Sequence, residues 1–234
     1  MAETIILSPH CDDVPLSLGA ALLARTFGSL PLVAVVFSVS CFTKDEPCTG
    51  RVEAVTALRE SEELCASRQA SYQTRFLGFP EPFVRPGFVS FNDIFDKRRN
   101  EEDDAIFSVV SKAIDDLIAS QDGLTVAPLG CGNHIDHRIV HRSVLASFKV
   151  RKGIQVGFYE DLPYSAFLPE SEILARIPRF PGVSFYPVVV NRGFQEKIAM
   201  LQVYESQLRK EEFEALRKHW ERLGGERIWL PTRG

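Results

Sequence analysis

The sequence predicts an α/β fold, a Rossmann-like three-layer sandwich with a mostly parallel sheet and helices on both faces. Short apolar runs, which indicate buried strands, alternate with helix-like patterns through residues 1–160. This alternation is typical of right-handed β-α-β units, which place helices on both faces of a parallel sheet. The length of 234 residues fits a single domain spanning residues 1–234, and a chain of this size buries its own core.

Five apolar runs predict the strands of the parallel sheet. Each is short and bounded by turn-forming residues, as expected for buried strands. They are TIILSPH (4–10), LPLVAVVFSVS (30–40), YQTRFLGFP (72–80), LTVAPLG (124–130) and GIQVGFYED (153–161). Further strands are predicted at SFYPVVV (184–190) and IWLPT (228–232).

Helices are predicted between these runs, where apolar residues recur at helical spacing. Between the first two strands, for example, Leu16, Leu18 and Leu22 fall near one face. The predicted helical segments are 13–28, 51–69, 103–120, a helix that begins near Asp136, and one or two helices within 192–222. The stretch from Glu81 to Asn100 is predicted to be irregular, and loops of this length are often functional.

The composition excludes several classes of protein. Apolar residues make up 45% and charged residues 25% of the chain, and the net charge of −4 gives no basic footprint for nucleic acid. Residues 1–10 lack the basic and apolar regions of a signal peptide, and no apolar run reaches the roughly 20 residues of a membrane span. These features predict a cytoplasmic protein that binds neither nucleic acid nor the interior of a membrane.

The cysteines favour a reducing compartment. Their number, five, is odd, and no two form a C-x-x-C pair, so a disulfide framework is not expected. In an oxidising compartment, Cys41 and Cys48 are placed to bridge the loop between them.

Two polar motifs follow the first and fourth predicted strands. If the strand order is 3-2-1-4-5, it reverses between these two strands, and ligands bind at such a switch point beyond the carboxyl ends of the strands. The motifs are SPHCDD (8–13) and GNHIDH (132–137), and they would bring together His10, Asp12, Asp13, His134, Asp136 and His137.

These residue types suit a catalytic metal. Zinc in enzymes takes three nitrogen or oxygen ligands and leaves a position for water, which two histidines and one carboxylate would satisfy. A second carboxylate is able to act as general base, and a further histidine to stabilise an oxyanion, with an acid that orients it and keeps it protonated. The structural alternative is that the aspartates only cap the helices that follow, and that His-x-Asp-His is an exposed helix start.

The two motifs resemble those of the PIG-L/LmbE-like family of zinc-dependent N-acetylglucosaminyl deacetylases. The family pattern is Pro-His-x-Asp-Asp-Glu after the first strand and His-x-Asp-His later, and the resemblance covers most of the first 165 residues. It implies one Zn²⁺ per chain, although another divalent metal would suit the same ligands. The implied metal ligands are His10, Asp13 and His137, and the implied catalytic residues are Asp12 as general base, His134 at the oxyanion and Asp136 as the partner of His134.

Two positions depart from the family pattern. Val14 stands where Glu commonly follows the two aspartates, which leaves the substrate class and the local hydrogen bonding open. Cys11 replaces the intervening Pro, and a small buried thiol is expected to pack in the core rather than to bind metal.

Four further residues are candidates for substrate binding. Arg59 belongs to an Arg-x-x-Glu helix segment that is similar to one in the family, and Tyr159, Asp161 and Tyr164 lie in YEDLPY at the end of the fifth strand. Strand ends on this side of the sheet are expected to face the site. The structural alternatives are an exposed helical ion pair at Arg59 and an ordinary turn with a partly buried aromatic at 159–164.

The sequence therefore predicts a hydrolase that removes an N-acetyl group from an amino sugar, and its partner is a small N-acetylated sugar. The alternative is a non-catalytic sugar-binding protein on the same fold. A dinucleotide-dependent oxidoreductase is disfavoured because no G-x-G-x-x-G follows the first strand. The oligomeric state is left open, and a homo-oligomer is compatible with the sequence.

Overall fold

The fold is built on one seven-stranded sheet. A computed structural model describes residues 4–45, 48 and 51–232. The strand order is β3-β2-β1-β4-β5-β7-β6, so the predicted order of the five parallel strands is confirmed. The strands are β1 (Ile5–Ser8), β2 (Leu32–Val35), β3 (Gln73–Phe76), β4 (Leu124–Pro128), β5 (Gln155–Tyr159), β6 (Phe185–Val190) and β7 (Glu226–Pro231).

The last two strands are antiparallel and form one edge of the sheet. β7 pairs with β5 through Phe158 and Tyr159, and it pairs along its whole length with β6. The chain therefore leaves the sheet after β6, forms a pair of helices and returns between β5 and β6. The mixed sheet agrees with the prediction of a mostly parallel one.

Helices cover both faces of the sheet, as predicted. One apolar core lies under α1, α2, α7 and α8, with Leu22, Ala66, Leu201 and Leu216 among its buried residues. The other lies under α4 and α5 and includes Val140. The helices are α1 (Asp13–Leu23), α2 (Val52–Ala70), α3 (Phe91–Ile94), α4 (Phe107–Ala119), α5 (Ile135–Val150), α6 (Glu170–Arg176), α7 (Phe194–Leu201) and α8 (Lys210–Leu223).

The segment predicted to be irregular, 81–100, is built from short turns. A 3₁₀ turn spans Pro82–Val84 and the single turn of α3 follows. Ser90 and Asp93 form a reciprocal capping box at the start of α3, which satisfies backbone N–H groups that a short helix leaves free. The sequence analysis did not predict α3 or α6, because helices of one or two turns carry too few residues to show a period.

One disulfide is present, at the pair of cysteines that the sequence placed to bridge a loop only in an oxidising compartment. Cys41 and Cys48 form a disulfide across the loop after β2, while Cys11, Cys65 and Cys131 are free thiols. The odd number of cysteines excluded a fully paired framework but carried no information about one local bridge between residues seven apart. Within the described residues, no helix is both long and apolar enough to span a bilayer.

Candidate active site

The two polar motifs meet at one edge of the sheet. β1 pairs in parallel with β4, with Ile5 opposite Thr125 and Ile6 opposite Val126. Since the strands run side by side in the same direction, the residues after their carboxyl ends lie next to each other. All six candidate residues of the motifs are at least nine-tenths buried there.

His10, Asp13 and His137 converge on one point. The Asp13 Oδ2 atom, at the start of α1, lies 3.1 Å from His10 Nδ1 and 3.2 Å from His137 Nε2. The other nitrogen of each imidazole is held by a buried carboxylate. His10 Nε2 donates to Asp136 at 2.9 Å and His137 Nδ1 donates to Asp161 at 2.6 Å.

This arrangement fits a bound divalent metal. The two carboxylate contacts leave the lone pairs of His10 Nδ1 and His137 Nε2 facing Asp13, which is the tautomer that a metal requires. His137 Nε2 is buried, and apart from its 3.2 Å contact with Asp13 Oδ2 it has no hydrogen-bond partner among the described residues. Ligands of a tetrahedral zinc with bonds of about 2.0–2.1 Å lie roughly 3.3 Å apart, close to both observed contacts with Asp13.

A second ligand set is available at the same place. One nitrogen from each of His10, His134 and His137 lies within 4.8 Å of the others. In the set that contains Asp13, the carboxylate lies 3.1 Å and 3.2 Å from nitrogens of two imidazoles, as ligands of one metal do. We therefore favour the Asp13 set on geometry.

The charges of the site support one another in the metal-free protein. Burial opposes protonation of His10 and His137, but Asp13, together with the hydrogen bonds to Asp136 and Asp161, raises the pKa of His10 to about 10 and that of His137 to about 9. Burial disfavours the charged form of Asp13 as well, yet the two imidazoles hold its pKa well below the usual value. A metal would replace protons on these imidazoles, because histidine ligands bind in the neutral form.

Asp12 is held in a strained backbone conformation. Its φ is +96°, a region that residues other than glycine rarely adopt and that often marks functional sites. The Asp12 N–H donates to Glu63 at 3.1 Å, and Glu63 also accepts from the hydroxyls of Tyr72 and Tyr204. This buried cluster fixes the turn that points the Asp12 carboxylate into the cavity described below. Burial and the charge of Asp13 raise the pKa of Asp12 well above its usual value, with Arg59 opposing them.

His134 is not paired with the Asp136 carboxylate, which corrects the sequence-based assignment. The backbone N–H of Asp136 donates to His134 Nδ1 at 3.2 Å, so His134 acts as the N-cap of α5. An N–H group only donates, and the proton of the neutral ring therefore sits on Nε2. Burial and the neighbouring His10 lower the pKa of His134 well below its usual value, so the ring is neutral. The sequence-based interpretation had this ring protonated.

Arg85 is a site residue that sequence reasoning did not assign. Its guanidinium lies 2.7 Å from Asp136 Oδ1, donates to the Pro80 carbonyl, and sits between the rings of Phe37 and Phe88. It fixes the carboxylate that in turn orients His10. The only sequence signal was an Arg in a long loop, and nothing in the local pattern identified its partner.

A cavity of about 210 Å³ opens above these residues. Its floor is polar and one wall is aromatic, with Phe42, Phe83 and Phe91 packed edge to face or tilted at centroid distances of 5.2–6.2 Å. The lining residues are His10, Asp12, Asp13, Leu16, Phe42, Arg59, Glu81, Pro82, Phe83, Phe91, Ile94, Phe95, His134, Pro163, Tyr164, Gln207, Leu208 and Glu212.

Two of the four predicted substrate-binding residues line this cavity. Arg59 is buried, ion-paired with Glu81 and 4.0 Å from Asp12, so it is not the exposed helical pair of the alternative interpretation. Tyr164 also lines the cavity and packs against His137 at a ring distance of 5.5 Å. Gly132 allows this approach, because a Cβ at that position would overlap the Tyr164 ring.

The other two predicted substrate-binding residues do not reach the cavity. Tyr159 is fully buried in the core, where its hydroxyl donates to the Leu7 carbonyl at 3.0 Å. Asp161 is buried behind the site and accepts from His137 and from the Cys131 N–H. Their positions do not support direct contact with a substrate, and Asp161 instead orients a candidate metal ligand.

The two departures from the family pattern are accommodated by packing. Val14 lies in the first turn of α1 and is fully buried in the core. A carboxylate at this position would need its own buried charged or hydrogen-bonding partner. Cys11 is buried in the same core, and burial raises the pKa of its thiol well above the usual value. A protonated, buried thiol packs as a core residue, as expected.

Comparisons with known proteins find sugar deacetylases. The chain is 29% identical over 232 residues to the 2'-N-acetylparomamine deacetylase of Streptomyces fradiae, covering 97% of this chain and 81% of that protein. No protein-family model matches the chain.

Solved structures establish the fold. A deacetylase from the teicoplanin biosynthesis pathway superposes with a TM-score of 0.75 at 22% identity, covering 99% of this chain and 98% of that one. The zinc-inhibited form of teicoplanin deacetylase superposes with a TM-score of 0.73 at 21% identity, covering 99% and 98%. The chain therefore has the α/β fold of these deacetylases.

Proposed function

We propose that this protein is a metal-dependent hydrolase of the PIG-L/LmbE-like family that removes the N-acetyl group from an amino sugar. The observation that carries the proposal is the convergence of His10 Nδ1, Asp13 Oδ2 and His137 Nε2 beside Asp12 in a cavity. The fold of the teicoplanin deacetylase and the identity to the paromamine deacetylase support the same reaction.

The roles of the residues follow from their positions. His10, Asp13 and His137 would hold the metal, and Asp136 and Asp161 would fix the two imidazoles. A bound divalent ion polarises the acetyl carbonyl and lowers the pKa of a water molecule.

Asp12 would accept the proton of the attacking water, because its carboxylate lines the cavity beside the proposed metal ligands. The Nε2–H group of neutral His134 would donate to the oxyanion that forms at the acetyl carbon. Protonated Asp12 would then pass its proton to the leaving amine. His134 would not supply this proton, because its Nε2–H group is engaged with the oxyanion. Arg59 and Tyr164, which both line the cavity, would contact the sugar.

Two substitutions separate metal binding from catalysis. We expect Asp12→Ala to retain metal and to lose at least a hundredfold in kcat, which is the typical contribution of general-base catalysis. We expect His10→Ala to lose both metal and turnover. Acetate release and metal content per chain would be measured on the same preparations. Near-normal turnover of Asp12→Ala would rule out this mechanism.

A non-catalytic sugar-binding protein is the alternative function. The complete set of candidate ligands, base and oxyanion donor disfavours it, because a binding protein has no need for them. Acetate release from a panel of N-acetylated sugars, with and without chelator, distinguishes the two. Four points stay as the sequence left them. They are the identity of the metal as zinc, the single domain spanning 1–234, the cytoplasmic location and the oligomeric state.

A further inference from the structure

The charges that line the cavity cancel in pairs, with one exception. Within the described part of the chain, the carboxylates that line it are Asp12, Asp13, Glu81 and Glu212, and Arg59 is the only Lys or Arg. Arg59 is ion-paired with Glu81. A divalent ion at the proposed metal site would balance Asp12 and Asp13, and its histidine ligands would be neutral. Glu212 then has no compensating charge in the cavity.

Glu212 lies at the rim, in the first turn of α8. Its Oε2 accepts the Arg209 N–H at 2.8 Å, and this bond caps the start of the helix. Burial and the charges of Asp13, Asp12 and Asp161 raise the pKa of Tyr164, and the charge of Glu212 adds to them least. Glu212 Oε1 makes no hydrogen bond to any residue that the structure describes, and it is the atom left for a ligand.

The nearby cations do not neutralise Glu212. Lys44 Nζ donates to the Leu208 carbonyl at 3.1 Å, and the Arg209 guanidinium is bound to the Lys44 carbonyl. Neither side chain lines the cavity, and neither forms an ion pair with Glu212 among the described contacts. A substrate that reaches the rim therefore meets a negative charge.

We propose that Glu212 selects N-acetyl sugars whose remaining part carries a protonated amine, and that it disfavours substrates in which the same part carries a phosphate or carboxylate. This inference rests on the proposed deacetylase function. A cavity of about 210 Å³ holds little more than one sugar ring, so the rest of the substrate lies at the rim beside Glu212. An ammonium group there gains an ion pair with the carboxylate, whereas an anion is repelled by it.

The bond that caps α8 provides a substitution that removes the charge and keeps the fold. The side-chain oxygen of Gln accepts the same backbone N–H as that of Glu, so Glu212→Gln retains the bond to the Arg209 N–H. Glu211→Gln is the matched control, because Glu211 is an exposed neighbour in the same turn that does not line the cavity. Both variants change the net charge by one.

Three glycosides of N-acetylglucosamine with aminoethyl, hydroxyethyl and carboxymethyl aglycones test the proposal. We expect kcat/KM of the native protein to fall in that order, by about threefold to fivefold per step, as for a partly exposed ion pair. Added salt should reduce the difference, since the screening length is about 10 Å at 0.1 M. Glu212→Gln should treat the three glycosides alike, and Glu211→Gln should behave as the native protein.

The outcomes distinguish failure of this inference from failure of the proposed function. Hydrolysis of all three glycosides at equal rates by the native protein would overturn the role of Glu212 and leave the deacetylase function intact. A preference that persists unchanged in Glu212→Gln would overturn it too, and would mean that Glu212 only caps α8. Absence of acetate release from every glycoside would count against the proposed function itself.

Discussion

Single residues around Asp136 determine how the candidate metal ligands are oriented. Asp136 is completely buried and binds both His10 and Arg85. A buried carboxylate is costly unless it is paired and hydrogen-bonded, and here the two partners meet that need. The Arg85 guanidinium is stacked between Phe37 and Phe88 and is therefore fixed in position. It holds the Asp136 carboxylate in place, and that carboxylate in turn orients the His10 ring.

We expect loss of Arg85 to weaken metal binding. In Arg85→Met the Asp136 carboxylate loses its charged partner and no longer fixes His10, and changes to such outer partners lower metal affinity by about 10- to 100-fold. Arg85→Lys should recover part of the affinity, because it keeps the charge and loses the planar fork. Competition with a chromophoric chelator would measure the Kd for zinc.

The control for this substitution is Arg142→Met, which removes an arginine whose ion pair with Glu102 is about half exposed. Its affinity for zinc should equal that of the native protein. A folded Arg85→Met protein with unchanged affinity for zinc would show that Arg85 stabilises its loop and does not orient the metal ligands.

Residue types in the sequence identified the reactive groups and not their partners. His10, Asp13 and His137 stand in motifs that resemble those of a deacetylase family, and this resemblance implied them as metal ligands without a structure. The partners of the second imidazole nitrogens, Asp136 and Asp161, depend on which way each ring turns in the folded protein. The motif spacing did not contain that information.

At the level of elements, the loop between β4 and α5 positions both His134 and a wall of the cavity. Its Gly132 has a φ of +79°, and the Tyr164 ring lies where a Cβ would stand. Two requirements thus coincide at one residue, a left-handed backbone and close approach of an aromatic ring.

We expect Gly132→Ala to impair both stability and substrate binding. The left-handed conformation alone costs a non-glycine residue about 1–2 kcal/mol. Displacement of the Tyr164 ring adds to this cost and should raise KM, since Tyr164 lines the cavity. Urea denaturation and steady-state kinetics would measure the two effects.

Gly153→Ala is the matched control for the backbone term. Gly153 has a φ of +82° and nothing within 4 Å of its would-be Cβ, so only the backbone cost applies. If the two alanine variants lost the same stability and kept the same KM, contact with Tyr164 would not matter.

At the scale of the whole molecule, the parallel half of the sheet was predictable and the antiparallel edge was not. Alternating strands and helices favour a doubly wound order such as 3-2-1-4-5, because right-handed connections leave few alternatives. β6 and β7 were recognised as strands, but their order depends on how α7 and α8 pack before the chain returns. The bridge from Cys41 to Cys48 likewise depends on the path of one loop.

The buried site makes the stability of the whole molecule sensitive to metal. Three candidate ligands from two distant motifs are brought together only in the folded chain, so a metal that binds them binds the native state and not the unfolded one. At a free metal concentration 100 times Kd, this linkage stabilises the fold by about 2.7 kcal/mol. For a chain of this size, that corresponds to a rise in Tm of roughly 5–10 °C.

We expect thermal unfolding of the metal-free protein to show this shift on addition of zinc. Glu212→Gln should keep the shift, whereas His10→Ala should lose it. An equal shift in His10→Ala and the native protein would place the stabilising metal elsewhere on the molecule.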